Sequence, residues 1–129
     1  VRIRAAKGYA HPQLGVFIYR IEYAGKAFVF ATDTEGYVGT DRRLIELARD
    51  ADLLVHDAQY TPAEYTSDSA PRQGWGHSTW QMACSVAAEA GVKRLLLTHH
   101  DPARADDGVD EIERASGTEC AREGMRVEL

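Results

Sequence analysis

Apolar residues recur along this chain in two rhythms. Val16-Phe17-Ile18-Tyr19-Arg20-Ile21-Glu22-Tyr23 is dense in β-branched and aromatic side chains, and so is Ala27-Phe28-Val29-Phe30-Ala31. Ala24-Gly25-Lys26 between them supplies a turn, so the pair reads as a β-hairpin, with Arg2 to Ala6 as an earlier strand. Leu44, Leu47, Ala48 and Ala51 instead share one helical face, opened by Thr40 as N-cap with Asp41 in the first turn. Asp52 to His56 is a short buried strand. Residues 58–76, with Pro62, Pro71, Gly74 and Gly76, read as a long loop, of a length usually functional or disordered. A second helix runs from about Thr79 to Ala90, with Trp80, Ala83, Ala87 and Ala90 on one face and Gly91 as its stop. Arg94 to Thr98 is the next buried strand. Asp106-Asp107 opens a third helix with Val109, Ile112 and Ala115 or Ser116 inward, and Met125 to Leu129 reads as a closing edge strand. Strands alternating with helices predict an α/β layered fold, and 129 residues without a linker or repeat predict one domain.

Composition narrows the function classes. The net charge of −5 offers no general attraction to nucleic acid or an anionic membrane, so neither is expected as a partner. No apolar run is long enough to span a bilayer, and VRIRAAKGYA lacks the apolar core of a signal peptide. The chain does not open on Met, which leaves a processed or excised piece as one reading. Cys84 and Cys120 form no CxxC spacing, and reduced thiols in a cytoplasmic protein are the expectation.

The stretch RLLLTHHDP (94–102) carries the chemistry: a run of leucines ends on His99, His100 and Asp101. The strands expected to end at Ala31, His56 and Thr98 each lead into a side chain able to bind metal, namely Asp33, Asp57 and His99. Sites in open α/β sheets gather at the carboxyl ends of strands. His11 precedes the hairpin and His77 precedes the second helix, so five candidates sit at element boundaries. Neutral imidazole with carboxylate suits zinc or a related divalent ion, and a carboxylate can bridge two ions. Each residue also has a plainer reading. Asp33 can order a turn, Asp57 can cap a loop, Trp80 can fill a core, and His56 can flank a strand.

Five segments in order, His11-Pro12 before YRIEYAGK, FATDTE (30–35), ADLLVHDAQY (51–60), GWGHST (74–79) and LLLTHHDP (95–102), resemble the C-terminal half of the metallo-β-lactamase fold, in its ribonuclease Z and phosphodiesterase-like branch. The resemblance implies one β-sheet layer with helices packed on one face, half of an αββα sandwich. It implies that His11 completes the first metal's ligand set, that Asp33 bridges, and that His99 serves the second metal. It further implies that Asp57 and His77 form a pair that shuttles a proton to the leaving oxygen. The metal implied is divalent, zinc with manganese or iron as alternatives.

One departure stands out. The HxHxDH motif of the family's first half is absent, since the histidines are 11, 56, 77, 99 and 100. Each metal site is then about two protein ligands short, and weak or partial metal binding is expected of the chain alone. The reading that follows is half of a metal-dependent hydrolase of phosphodiester bonds, acting on a small phosphodiester. Its dinuclear site would be completed by a complementary N-terminal half or by a second copy in a homodimer. The alternative is a non-catalytic module with a vestigial site. Arg72 and Lys93 or Arg94 are candidate phosphate contacts. Ser78 beside His77 is not a GxSxG nucleophile.

Overall fold

In the computed structural model, which describes residues 1–9, 14–36 and 40–129, five strands form one sheet in the order β1 to β5. β1 (Arg2–Gly8), β2 (Val16–Tyr23) and β3 (Lys26–Ala31) form an antiparallel meander. β4 (Leu53–Asp57) and β5 (Leu95–Thr98) then add in parallel to β3. Helix α1 (Arg42–Ala48) makes the crossover from β3 to β4, and α3 (Trp80–Ala90) makes the one from β4 to β5. The short α2 (Pro62–Tyr65) interrupts the expected long loop, and α4 (Asp106–Ser116) follows β5. The expected hairpin, both crossovers and the α/β layering are present.

Alternation along the strands separates the two faces. Ile18, Ala27, Val29, Ala31 and Leu54 point one way and meet Leu44, Leu47 and Ala48 of α1 and Val86, Ala87 and Ala90 of α3. Leu97 joins Ala83 of α3, Val109 and Ile112 of α4, and Cys120 on the same side. The opposite face carries Phe17, Tyr19, Tyr23 and Phe30, all exposed, with Phe28, Leu53, Val55 and Leu96 beside them. Helices thus pack on one face, and the other face is an apolar surface.

Several local expectations give way to better-placed partners. Asp41, not Thr40, caps α1: its Oδ1 accepts from the Arg43 amide at 2.9 Å, while the Thr40 hydroxyl donates to Glu89. At the other end of α1 no glycine closes the helix. Instead the guanidinium of Arg20, buried beneath the helices, donates to the carbonyls of Leu47 and Arg49. The helix inside the loop is announced by Thr61-Pro62-Ala63-Glu64, a capping box with proline in the first turn. Residues 125–129 form no strand; Met125, Val127 and Leu129 lie against the outer sheet face near Phe28, Val55 and Leu96. Ala115 of α4 points to solvent, leaving Val109 and Ile112 as its buried pair.

Two expectations can be measured. The β2–β3 turn holds both Ala24 (φ 49°) and Gly25 (φ 77°) in the left-handed region. Ala24→Asn should raise stability by about 0.5–1 kcal/mol, because asparagine tolerates that conformation better than alanine. An unchanged or lowered denaturation midpoint would count against the turn geometry. Burial pushes the Cys120 thiol up from 9.0 to about 11. Since its folded value exceeds its unfolded value, its contribution to stability is complete below pH 9 and is lost as pH rises from 9 toward 11. At pH 8 a thiol reagent should label Cys120 rapidly only after denaturation.

Candidate functional site

The parallel strands β3, β4 and β5 all end at one rim of the sheet, and the polar residues follow from that ending. Asp57 is the last residue of β4. Asp33 lies two residues past β3, and His99 one residue past β5. Asp33 (φ 52°) and His99 (φ 61°) both adopt left-handed backbone, uncommon for residues other than glycine. Each such residue costs about 1–3 kcal/mol, and residues of this kind concentrate at functional sites. The rim brings the two side chains together, with His99 Nε2 3.1 Å from Asp33 Oδ1.

Asp57 is wholly buried. Its Oδ1 accepts from the amides of Gln59 (3.1 Å) and Ser78 (3.0 Å), and its Oδ2 accepts from His77 Nδ1 at 2.8 Å. His99 Nδ1 lies 3.9 Å from the same Oδ2. A carboxylate accepts but cannot donate, so His77 Nδ1 carries the proton and Nε2 carries the lone pair. Burial alone would push the His77 pKa down. The hydrogen bond to Asp57 and the negative charges of Asp57, Asp33 and Glu35 together outweigh it and leave the value raised. The His77 and His99 rings stack with centroids 4.9 Å apart.

Asp33, His77 and His99 each present one ligand atom, and these atoms lie within 4.8 Å of one another. It is the one such group of three among the described residues. The donor set of two imidazoles and a carboxylate suits a divalent ion. The 3.1 Å between His99 Nε2 and Asp33 Oδ1 is close to the ~3.3 Å edge of a tetrahedron with bonds of about 2.0 Å. The residues therefore fit a metal, with fewer donors than a closed site needs. Of the five candidates drawn from sequence, Asp33, Asp57, His77 and His99 converge. His11 lies outside the described residues.

His56 faces the helix side, buried, with Nδ1 2.7 Å from the Asp57 carbonyl oxygen, and burial pushes its pKa down. The His100 pKa is likewise lowered by burial and by the nearby charge of Arg104. Neither imidazole belongs to the donor group.

Two positioning residues escaped the sequence reading. Glu35 is completely buried, and its carboxylate accepts from the Tyr65 hydroxyl (2.5 Å), the Gly74 amide (2.7 Å) and the Gly76 amide (2.8 Å). It pins the loop that delivers His77. Ser78 donates its hydroxyl to the Thr34 carbonyl at 2.6 Å and accepts from the Gly36 amide at 3.0 Å. Its oxygen is engaged in joining the Asp33 loop to the His77 loop, which accounts for a serine here that is no nucleophile. Both residues lay inside the motifs FATDTE and GWGHST, but their partners are distant in sequence.

Comparisons with known proteins bear on the family and the fold. Residues 2–100 match the beta-lactamase superfamily domain. The chain is 44% identical over 86 residues to ribonuclease Z of Brevibacillus brevis, a match covering 67% of this chain and 24% of that protein. It is 36% identical over 109 residues to ribonuclease Z of Gemmatimonas aurantiaca, covering 81% of this chain and 32% of that protein. Among solved structures, the metallo-beta-lactamase fold protein YhfI from Bacillus subtilis aligns with TM-score 0.71 and 24% identity over 95% of this chain and 46% of its own. The short form of human tRNase Z aligns with TM-score 0.65 and 22% identity over 95% and 41%. These two structural likenesses speak for the fold. The chain thus spans about a quarter to a third of the length of these curated relatives, and less than half of the two solved chains. With the family match running over residues 2–100, this chain belongs to the beta-lactamase superfamily and carries part of the metallo-β-lactamase fold, similar to that of ribonuclease Z.

Proposed function

We propose that this chain supplies one side of the active site of a metal-dependent phosphodiesterase. The observation that carries the reading is the meeting of Asp33 and His99 beside a histidine whose proton is fixed by a buried aspartate. In this reading Asp33, shared between two ions, would hold the metal together with His99 for one ion and His11 for the other. A divalent ion bound here supplies a Lewis acid and lowers the pKa of water. His77, held by Asp57 through Nδ1, directs Nε2 toward the scissile bond and hands a proton to the departing oxygen. Asp57 orients the imidazole and stabilises its cationic form, which is the form that donates. Zinc is the first candidate, with manganese and iron sharing the ligand set.

The substrate class is a phosphodiester. The acidic net charge does not exclude nucleic acid. It sums over the whole chain, whereas a phosphate is recognised by local groups, and the relatives named above are ribonucleases. An RNA phosphodiester therefore stands beside a small diester as substrate. The free thiols of Cys84 and Cys120 fit a reducing, cytoplasmic setting. No helix among the described residues is long and apolar enough to cross a membrane.

With His77 assigned to proton transfer, Asp33 and His99 are the donors left, and they leave room for ligands from outside these residues, while the apolar outer face of the sheet asks for a covering layer. A complementary half of the fold answers both needs. The second reading is a homodimer that packs sheet on sheet with no catalysis, and the exposed Phe17, Tyr19, Tyr23 and Phe30 favour it. Sedimentation of the purified chain separates the two. A dimer at micromolar concentration supports self-association, and a clean monomer rules it out.

Metal analysis with turnover tests the division of roles. Asp33→Ala and His99→Ala should lower bound metal, Asp33→Ala more so because a bridge serves both ions. His77→Ala should keep its metal and lose about 10²–10⁴ in kcat. Asp57→Asn should resemble His77→Ala, since an amide no longer enforces the tautomer. Equal metal loss in the Asp33 and His77 variants would contradict the assignment.

A further inference from the structure

Between the two glycines that Glu35 grips stands an exposed indole. Gly74 (φ 81°) and Gly76 (φ 89°) both need left-handed backbone, and both amides donate to the Glu35 carboxylate, so Trp75 is held from either side on a fixed loop. Yet Trp75 is 52% exposed, two residues before His77. A large aromatic ring held out to solvent beside a site offers a face on which a ligand can stack. Arg72 stands over it, its guanidinium carbon 4.4 Å from the indole centroid and 5.9 Å from the Tyr60 ring. Tyr60 in turn meets His77 edge-on, with ring centroids 6.1 Å apart. Among the described residues Arg72 has no carboxylate partner, and its side chain is half-buried. A half-buried guanidinium without a carboxylate partner can hold a phosphate by donating two parallel hydrogen bonds.

We propose that Arg72 and Trp75 form a nucleotide clamp beside the His77 site, Arg72 binding a substrate phosphate and Trp75 stacking on the neighbouring base. The clamp rests on the phosphodiesterase reading and deepens it by naming the groups that favour a nucleotide diester over a diester without a base. Stacking suits any base, because every base has a π-face, so the clamp selects single-stranded nucleotide chains without reading their sequence. The guanidinium over one side of the indole fixes a phosphate next to the base, which a lone exposed tryptophan would not do.

The test is a binding titration of the whole chain at fixed salt with a six-nucleotide oligoadenylate, and with tripolyphosphate as a probe of like charge without bases. Indole fluorescence and the anisotropy of a labelled oligomer are both read. Wild type should show saturable quenching with oligoadenylate and none with tripolyphosphate. Trp75→Ala should abolish the quenching and weaken oligoadenylate about five- to a hundredfold, leaving tripolyphosphate unchanged. Trp75→Phe, which keeps an aromatic face, should recover most of the affinity. Arg72→Ala should weaken both probes, and Arg72→Lys should restore tripolyphosphate more than oligoadenylate. Absence of oligoadenylate binding to wild type, or wild-type affinity in both Trp75→Ala and Arg72→Ala, would overturn the clamp. So would a change of oligomeric mass on Trp75→Ala with unchanged affinity, because Trp75 would then be a protein contact. Cleavage with normal affinity in the Trp75 variant removes the clamp and keeps the enzyme, whereas affinity loss without any metal-dependent cleavage keeps the clamp and removes the enzyme.

Discussion

A single buried carboxylate, that of Asp57, sets the geometry on which the rest of the site depends. A charge removed from water must be compensated, and here compensation comes from two backbone amides and one imidazole. Those donors come from residues 59, 77 and 78, so satisfying Asp57 folds the long segment between β4 and α3 back onto the strand end. Backbone hydrogen bonds between Tyr60 and Ser78 and between Trp80 and Tyr60 continue the closure. The same contact orients His77 and removes any choice of tautomer. Glu35 repeats the device one loop away, meeting two amides and a phenol. Two buried acids thus join buried Ala58, Tyr60 and Tyr65 in ordering this loop.

The sheet supplies direction and the strand ends supply curvature. Parallel strands β3, β4 and β5 deliver their C-terminal residues to one rim, and left-handed backbone at Asp33 and His99 turns the chain sharply as it leaves. That strain is retained where a ligand set needs it and is spread over two separate strand ends. The hydrogen bond from His77 Nδ1 to Asp57 Oδ2 and the 3.1 Å approach of His99 Nε2 to Asp33 Oδ1 hold the two imidazoles and two carboxylates together.

Much of this was legible in the chain. Strand and helix positions followed from alternating and helical spacing, and Gly91 ended α3 as its place past the periodic face implied. Four of the five residues singled out for chemistry stand together because each lies at or just past a strand end or shortly before a helix, where topology fixes their location. What sequence could not show depended on distance. The carboxylate of Glu35 meets amides about forty residues away, and Arg20 closes a helix on the far side of a hairpin. Met125 to Leu129 has strand-like composition, but packing on the outer face took precedence over pairing at an edge.

The account stands on His77 keeping its proton on Nδ1 toward Asp57 while Asp33 and His99 receive the ion. A zinc titration followed by ¹⁵N NMR of the histidine imidazoles tests both at once. Before zinc, His77 should show a protonated, hydrogen-bonded Nδ1. On addition of zinc the His99 Nε2 resonance should move to a metal-ligated position while His77 Nδ1 stays protonated. A His77 that exchanges tautomers freely, or a His99 resonance that ignores saturating zinc, would contradict the account.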